Sequence, residues 1–218
     1  AMPSYYLTDC EYEILETHTE AIADYLFYAK SPYDLIELGA GDGKKTKILL
    51  RHLIAKERDF VYKPIDISKN ALSSLAIDLE EILPDLNVAC QVGMYFDVLE
   101  KLRRSSDRKK AILVLGSNIG TLEHKVAIDF LTKIASTMTL EDRLFMGFDQ
   151  KKEPQTILDA YNDPEGITAA FNKNILTRIN REMDATFELD KFKHWQTYNP
   201  EPGTAKSYLV ATEPMKVV

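Results

Sequence analysis

Asp34-Leu35-Ile36-Glu37-Leu38-Gly39-Ala40-Gly41-Asp42-Gly43-Lys44-Lys45-Thr46 decides the fold. The apolar run Leu35 to Leu38 has the length and character of a buried strand. Gly39, Gly41 and Gly43 make a turn in which the backbone can bend tightly and approach a ligand. Leu49, Leu50, Leu53 and Ile54 follow at helical spacing. Strand, glycine turn and helix in that order open a βαβ unit of the nucleotide-binding type. One acid, Glu37, stands inside the apolar run, where burial of a charge needs a reason. A second, Asp66, closes the next apolar run about 25 residues past the glycines, near the spacing of a ribose-binding acid. The G-x-G-x-G spacing differs from the dinucleotide G-x-G-x-x-G, which speaks against a nicotinamide oxidoreductase.

Working outward, a helix bearing Leu15, Ala21, Ile22, Tyr25 and Leu26 is expected before this strand. Phe60 to Ile67 reads as the second strand, Ser68 as an N-cap, and Leu72, Leu75, Ala76, Leu79 and Leu83 as one face of a helix that Pro84 stops. Asn87 to Val92 reads as a third strand. The basic stretch Lys101 to Lys110 is expected to be a solvated loop rather than an anion patch. Ala111 to Leu115 is a continuous aliphatic run fit for a central parallel strand, and it ends in the small-residue turn Gly116 to Thr121. Val126, Phe130, Leu131 and Ile134 mark the next helix and Leu144 to Phe148 a fifth strand. This alternation predicts an α/β fold, a parallel doubly wound sheet of about five strands with helices on both faces. Ligands in such sheets lie at the carboxyl ends of the strands.

Past Asp149 the pattern changes. Asp163 is expected to cap a helix with Pro164 at its first position, and Ile167, Phe171, Ile175, Ile179 and Met183 give that helix an apolar face. Phe192 to Tyr198 and Ser207 to Thr212 read as two strands joined through Asn199 to Gly203. The expected organisation is a Rossmann-like binding domain over residues 1–150 and a smaller α+β lobe over 151–218.

A net charge of -7, from 27 basic and 34 acidic residues, disfavours a general nucleic-acid binder. No apolar run approaches a membrane span and no signal peptide is visible; Ala1-Met2 reads as a cloning remnant ahead of a start methionine. Cys10 and Cys90 form no metal-ligand pattern and are expected to be buried free thiols in a reducing compartment, which implies a cytoplasmic protein with no metal. His18, His52, His124 and His194 are scattered and are given surface or core roles.

E-L-G-x-G-x-G, read with Asp66, resembles the first motif region of class I S-adenosylmethionine (SAM) methyltransferases. A more specific likeness lies further on. Ala160-Tyr161-Asn162-Asp163-Pro164-Glu165-Gly166-Ile167-Thr168-Ala169-Ala170-Phe171-Asn172-Lys173-Asn174 resembles the A-Y-x-D-x-x-G-x-T-A-A-F-N-x-N signature of the histidine-specific SAM-dependent methyltransferase family. That family includes histidine N-α-methyltransferases of the ergothioneine route and ergot-alkaloid N-methyltransferases. Its other landmarks fall at Pro3 to Tyr6, at Lys45-Thr46 and at Leu115 to Gly120. The resemblance implies SAM as cofactor, held by Glu37, Gly39, Gly41, Lys45, Asp66, Tyr95, Gly116 and Ser117. It implies a small-molecule amine or amino acid as methyl acceptor, met by Thr121, Tyr161 and Phe171. Tyr5 and Tyr161 are the residues implied at the reaction centre. Core packing is an equal alternative for Tyr95.

The family's pattern has Asn where this chain has Thr121, and it continues past Val218 with a T-E-x-S segment that grips the histidine side chain. The substrate lobe is therefore expected to be partial. Trp195 is read as core of that lobe. An incomplete lobe would instead leave apolar surface around Phe171 and Trp195 uncovered and favour a homodimer or a partner chain. The alternative function is a non-catalytic SAM-binding or regulatory module that retains the sheet without a complete lobe.

Overall fold

Tyr33–Leu38 forms the central strand β1, buried at each of its six positions. In the computed structural model, which describes residues 5–218, four more strands run parallel to it: β2 (Phe60–Asp66), β3 (Gln91–Val92), β4 (Lys109–Val114) and β5 (Arg143–Met146). Their order is β3-β2-β1-β4-β5. The chain thus works outward through β2 and β3, then returns to the other side of β1 with β4.

The helices are α1 (Leu7–Leu26), α2 (Thr46–Ala55), α3 (Lys69–Ile82), α4 (Tyr95–Ser105) and α5 (His124–Thr137). Side chains along a strand alternate between faces, and the two faces of β1 and β4 feed two separate cores. Leu35 and Leu113 pack with Leu15 and Leu26 of α1, Leu49 and Leu53 of α2 and Leu79 of α3. Ile36 and Ile112 pack with Val98, Leu99 and Leu102 of α4 and Ile134 of α5. Covering both faces is what buries the central strands on both sides.

Three sequence expectations for this unit are corrected. Residues 101–105 are the last turns of α4, not loop. Val98, Leu99 and Leu102 give that helix its buried stripe, with Asp97 in its first turn and Arg103 and Arg104 in its last, each sign favoured by the helix dipole. The basic cluster is neutralised in place: Arg103 and Arg104 pair with Glu100, Arg108 with Asp59 and Lys109 with Glu141. The third strand shrinks to Gln91–Val92, with a lone bridge from Val88 to Tyr62. Both cysteines are free, but Cys10 is exposed and Cys90 only half-buried.

The chain divides into two compact units, Asp9–Asp149 and Ala1–Thr8 with Gln150–Val218. The second holds α6 (Pro154–Tyr161), α7 (Ile167–Met183) and an antiparallel hairpin of β6 (Phe192–Asn199) and β7 (Thr204–Ala211). Asp163 does cap α7, but from four residues upstream of its start. Its carboxylate accepts from the amides of Ile167 at 2.6 Å and Thr168 at 2.7 Å, while Gly166 takes a left-handed φ of 73° and Pro164 lies in the preceding turn. The apolar stripe of α7 faces outward: Phe171 is 78% exposed, Ile175 50% and Met183 74%, while Leu176 is buried. Trp195 is 51% exposed, so it is not core; strand alternation turns His194 inward and Trp195 out. Among the described residues no helix is long and apolar enough to cross a membrane.

Candidate active site

β1 and β4 are neighbours in the sheet but not in sequence, so the crevice at their carboxyl ends is the switch point of the doubly wound fold. The glycine turn lies there. Gly39 continues the sheet by donating to Ile65 O at 2.9 Å, and Gly43 closes the turn onto Ala40 O at 2.9 Å. Gly39 has φ 73°, and a Cβ on it would stand 2.6 Å from the Tyr95 hydroxyl. Both conditions require glycine. At Gly41 a Cβ would meet nothing within 4 Å, so the crest of the turn opens to a ligand. A pocket of about 230 Å³ results, lined by Glu37, the turn from Gly39 to Thr46, and Leu115, Gly116 and Asn118 from the end of β4.

Glu37 forms the floor. It is 3% exposed and accepts from Thr46 Oγ1 at 2.6 Å and from the Tyr62 hydroxyl. Burial pushes its carboxyl up to about 7, although both hydroxyls and the Lys45 ammonium favour the charged form. Burial and the adjacent Glu37 also raise the Tyr62 phenol well above its usual range.

At the other wall, Lys45 pairs with Glu11 of α1, and the Gly116 amide donates to both Glu11 oxygens at 2.9 Å. Asp66, half-buried at the end of β2, accepts from the Ser68 amide at 2.9 Å, which fixes the orientation of its carboxylate. Tyr95 lies between these groups: its hydroxyl is against Gly39, and its phenol is raised by burial and by the charge of Asp66.

Of the residues read from the sequence, Glu37, Gly39, Gly41, Lys45 and Gly116 therefore line one pocket, with Tyr95 and Asp66 beside it. Ser117 takes a left-handed φ of 54° and its hydroxyl accepts from the Asp149 amide at 3.2 Å, outside the lining. Thr121 is exposed and donates to Asn118 O at 2.7 Å. In the other unit, the rings of Tyr5 and Tyr161 meet edge to face, 5.9 Å apart at 77°. Among the described residues no group of three or more His, Cys, Asp or Glu is placed to hold a metal ion.

Four participants escape the sequence reading. Thr46 and Tyr62, the partners of Glu37, look like ordinary helix-start and strand residues. Asn118 carries a visible signal, a polar residue in the small-residue turn after β4, where its amide donates to Leu115 O at 3.0 Å. Glu11 has a subtler one: it shares the buried stripe of α1 with Leu15, Ile22 and Leu26.

The profile of the family described as "Histidine-specific methyltransferase, SAM-dependent" matches residues 1–218. The chain belongs to this family of SAM-dependent methyltransferases. Among its relatives, histidine N-alpha-methyltransferase of Mycobacterium tuberculosis is 33% identical over 198 residues, covering 91% of this chain and 60% of that protein. The protein of the same name from Mycolicibacterium smegmatis is 31% identical over 210 residues, covering 96% and 64%. Ergothioneine biosynthesis protein 1 of Schizosaccharomyces pombe is 28% identical over 223 residues, covering 100% and 29%. The chain thus spans less than two thirds of the length of these relatives.

SAM is the cofactor of this family, and the residues present fit it. The open crest at Gly41 admits a ligand against the backbone, and Gly39 keeps that backbone clear of Cβ atoms. A carboxylate at the end of β2 suits ribose hydroxyls, and the Lys45 ammonium beside the Gly116 amide, both now donating to Glu11, suits a carboxylate.

Proposed function

We propose that this chain holds SAM at the carboxyl ends of β1, β2 and β4 and methylates the α-amine of histidine or a closely related amino acid. The observation that carries the reading is a family match along the whole chain, supported by an open glycine turn at the switch point of the sheet. SAM supplies a methyl group already activated on a sulfonium, so neither a metal nor a covalent enzyme intermediate is needed.

The protein's share is binding, alignment and exclusion of water. Asp66 takes the ribose hydroxyls, Gly39, Gly41 and the Gly116 amide the close backbone contacts, and Lys45 the carboxylate. Tyr95 flanks the nucleoside. Residues 151–218 supply the acceptor side. Tyr5 and Tyr161 position the amine, and water takes its proton. Their ring faces also attract a developing methylammonium, by about 0.5–2 kcal/mol. Thr121 and Phe171 complete the acceptor side in this reading.

A net charge of -7 and free cysteines support a cytoplasmic enzyme of small molecules without nucleic-acid or membrane partners. Exposed Phe171 and Trp195 support a homodimer. The test is incubation with methyl-labelled SAM and a pool of free amino acids, read by mass spectrometry. Methylated histidine or a close analogue is expected. Tight binding of S-adenosylhomocysteine without label transfer to any amino acid would overturn the proposal.

A further inference from the structure

We propose that Glu11 recognises the α-ammonium of bound SAM, forming with Lys45 an opposite-charge pair that brackets the cofactor's zwitterionic amino-acid end. The inference rests on the cofactor site proposed above and adds to it a residue from α1.

Glu11 stands where helical periodicity calls for an apolar side chain. It shares the buried stripe of α1 with Leu15, Ile22 and Leu26 and is itself only 9% exposed. A carboxylate so placed is costly unless charge or hydrogen bonds compensate it. Its compensation comes from the pocket wall. The Gly116 amide donates to both oxygens at 2.9 Å, and the Lys45 ammonium completes an ion pair. Room for the carboxylate is made at the end of β5, where a Cβ on Gly147 would run into Oε1 of Glu11. The ends of β4 and β5 and the residue that opens α2 all converge on this one group. A leucine would have tied α1 to the sheet without the desolvation penalty.

The chemistry of the ligand explains the acid. The amino-acid end of SAM needs donors for its carboxylate and an acceptor for its ammonium. Lys45 and the Gly116 amide are donors in the lining. The acids of the lining itself are engaged elsewhere: Glu37 accepts from Thr46 and Tyr62, and Asp42 pairs with Lys44, which leaves Glu11, directly behind Lys45 and Gly116, as the acceptor at this end. Glu11 is held by the two donors that a ligand carboxylate would take. When they pass to the ligand, Glu11 turns to the ligand's ammonium, and each charge of the bound state keeps a partner. Weak screening in a half-buried setting makes such pairs discriminating.

Calorimetry on the whole chain tests this with three probes: S-adenosylhomocysteine, its deamino analogue that keeps the carboxylate, and 5′-methylthioadenosine, which has no amino-acid end. Wild type should bind the deamino analogue at least about tenfold more weakly than S-adenosylhomocysteine. Glu11→Gln should bring S-adenosylhomocysteine down to that level and leave the other two probes within about twofold. Equal weakening of all three probes would make Glu11 a structural anchor and overturn the proposal. So would tighter binding of S-adenosylhomocysteine, the mark of a carboxylate that merely fills the ligand's place, or no change at all. Glu11→Asp serves as the second variant. Should neither fold, wild-type parity between S-adenosylhomocysteine and the deamino analogue still overturns the inference. Failure of wild type to bind S-adenosylhomocysteine and 5′-methylthioadenosine alike would instead overturn the proposed function.

Discussion

Removing the titration of Glu37 should flatten the pH dependence of stability. The carboxyl is 3% exposed and sits between two hydroxyls under the glycine turn. Its folded pKa of about 7 lies above the ordinary 4.5, chiefly because burial disfavours the charge. A raised carboxyl favours the folded state fully below the unfolded value. That contribution is lost as pH climbs from about 4.5 through about 7. At 1.36 kcal/mol per unit, the loss is about 3 kcal/mol by pH 8. Glu37→Gln keeps an amide oxygen to accept from Thr46 and an NH₂ to donate to Tyr62, and it cannot ionise. Urea unfolding followed by circular dichroism at pH 5, 6, 7 and 8 gives the readout for both proteins. The difference between their stabilities should shift in favour of Gln by about 2.5 kcal/mol across that range, the first part of the loss lying below pH 5. Glu37→Ala should be destabilised by roughly 2–5 kcal/mol even at pH 5, because both hydroxyls lose a buried acceptor. Parallel pH curves for wild type and Glu37→Gln would refute the reasoning and mean that Glu37 titrates as it does in the unfolded chain.

Asp66→Ala should weaken S-adenosylhomocysteine binding by roughly 1.5–3 kcal/mol in calorimetry, the worth of charge-assisted bonds to ribose hydroxyls; unchanged affinity would remove Asp66 from the site. Gly39→Ala should cost about 1–3 kcal/mol in urea unfolding through its positive φ, and should weaken cofactor binding by displacing the Tyr95 hydroxyl. Tyr161→Phe should leave S-adenosylhomocysteine affinity within about twofold while lowering kcat or raising KM for the amino acid; the reverse pattern would move Tyr161 to the cofactor. Thr121→Asn should raise kcat/KM for histidine by about tenfold or more, since an amide can both donate and accept toward an amino acid's charged ends where a hydroxyl already donating to Asn118 O cannot.

What the sequence disclosed and what it hid follow from how far each residue's role depends on distant chain. The stretch Asp34 to Thr46 was legible because a strand buried on both faces, a glycine turn and a helix leave one arrangement open, and the second acid at Asp66 then falls at the end of the adjacent strand. The helix α4 was hidden by composition: its buried stripe is only Val98, Leu99 and Leu102, and the arginines that look like loop are paired along its outer side. Periodicity showed that α7 has an apolar stripe, but not which side would be covered. Packing buried Leu176 and His194 and left Phe171 and Trp195 outside, because a stripe on an isolated segment says nothing of its neighbour. The two buried acids make the same point. Glu37 stood out because every position of its strand is covered, so a charge there had to have partners. Glu11 did not, because a helix on the surface of a sheet has a wet side where glutamate is ordinary. Its partner amide lies 105 residues along the chain, and only the closing of β4 beside β1 brings the two together.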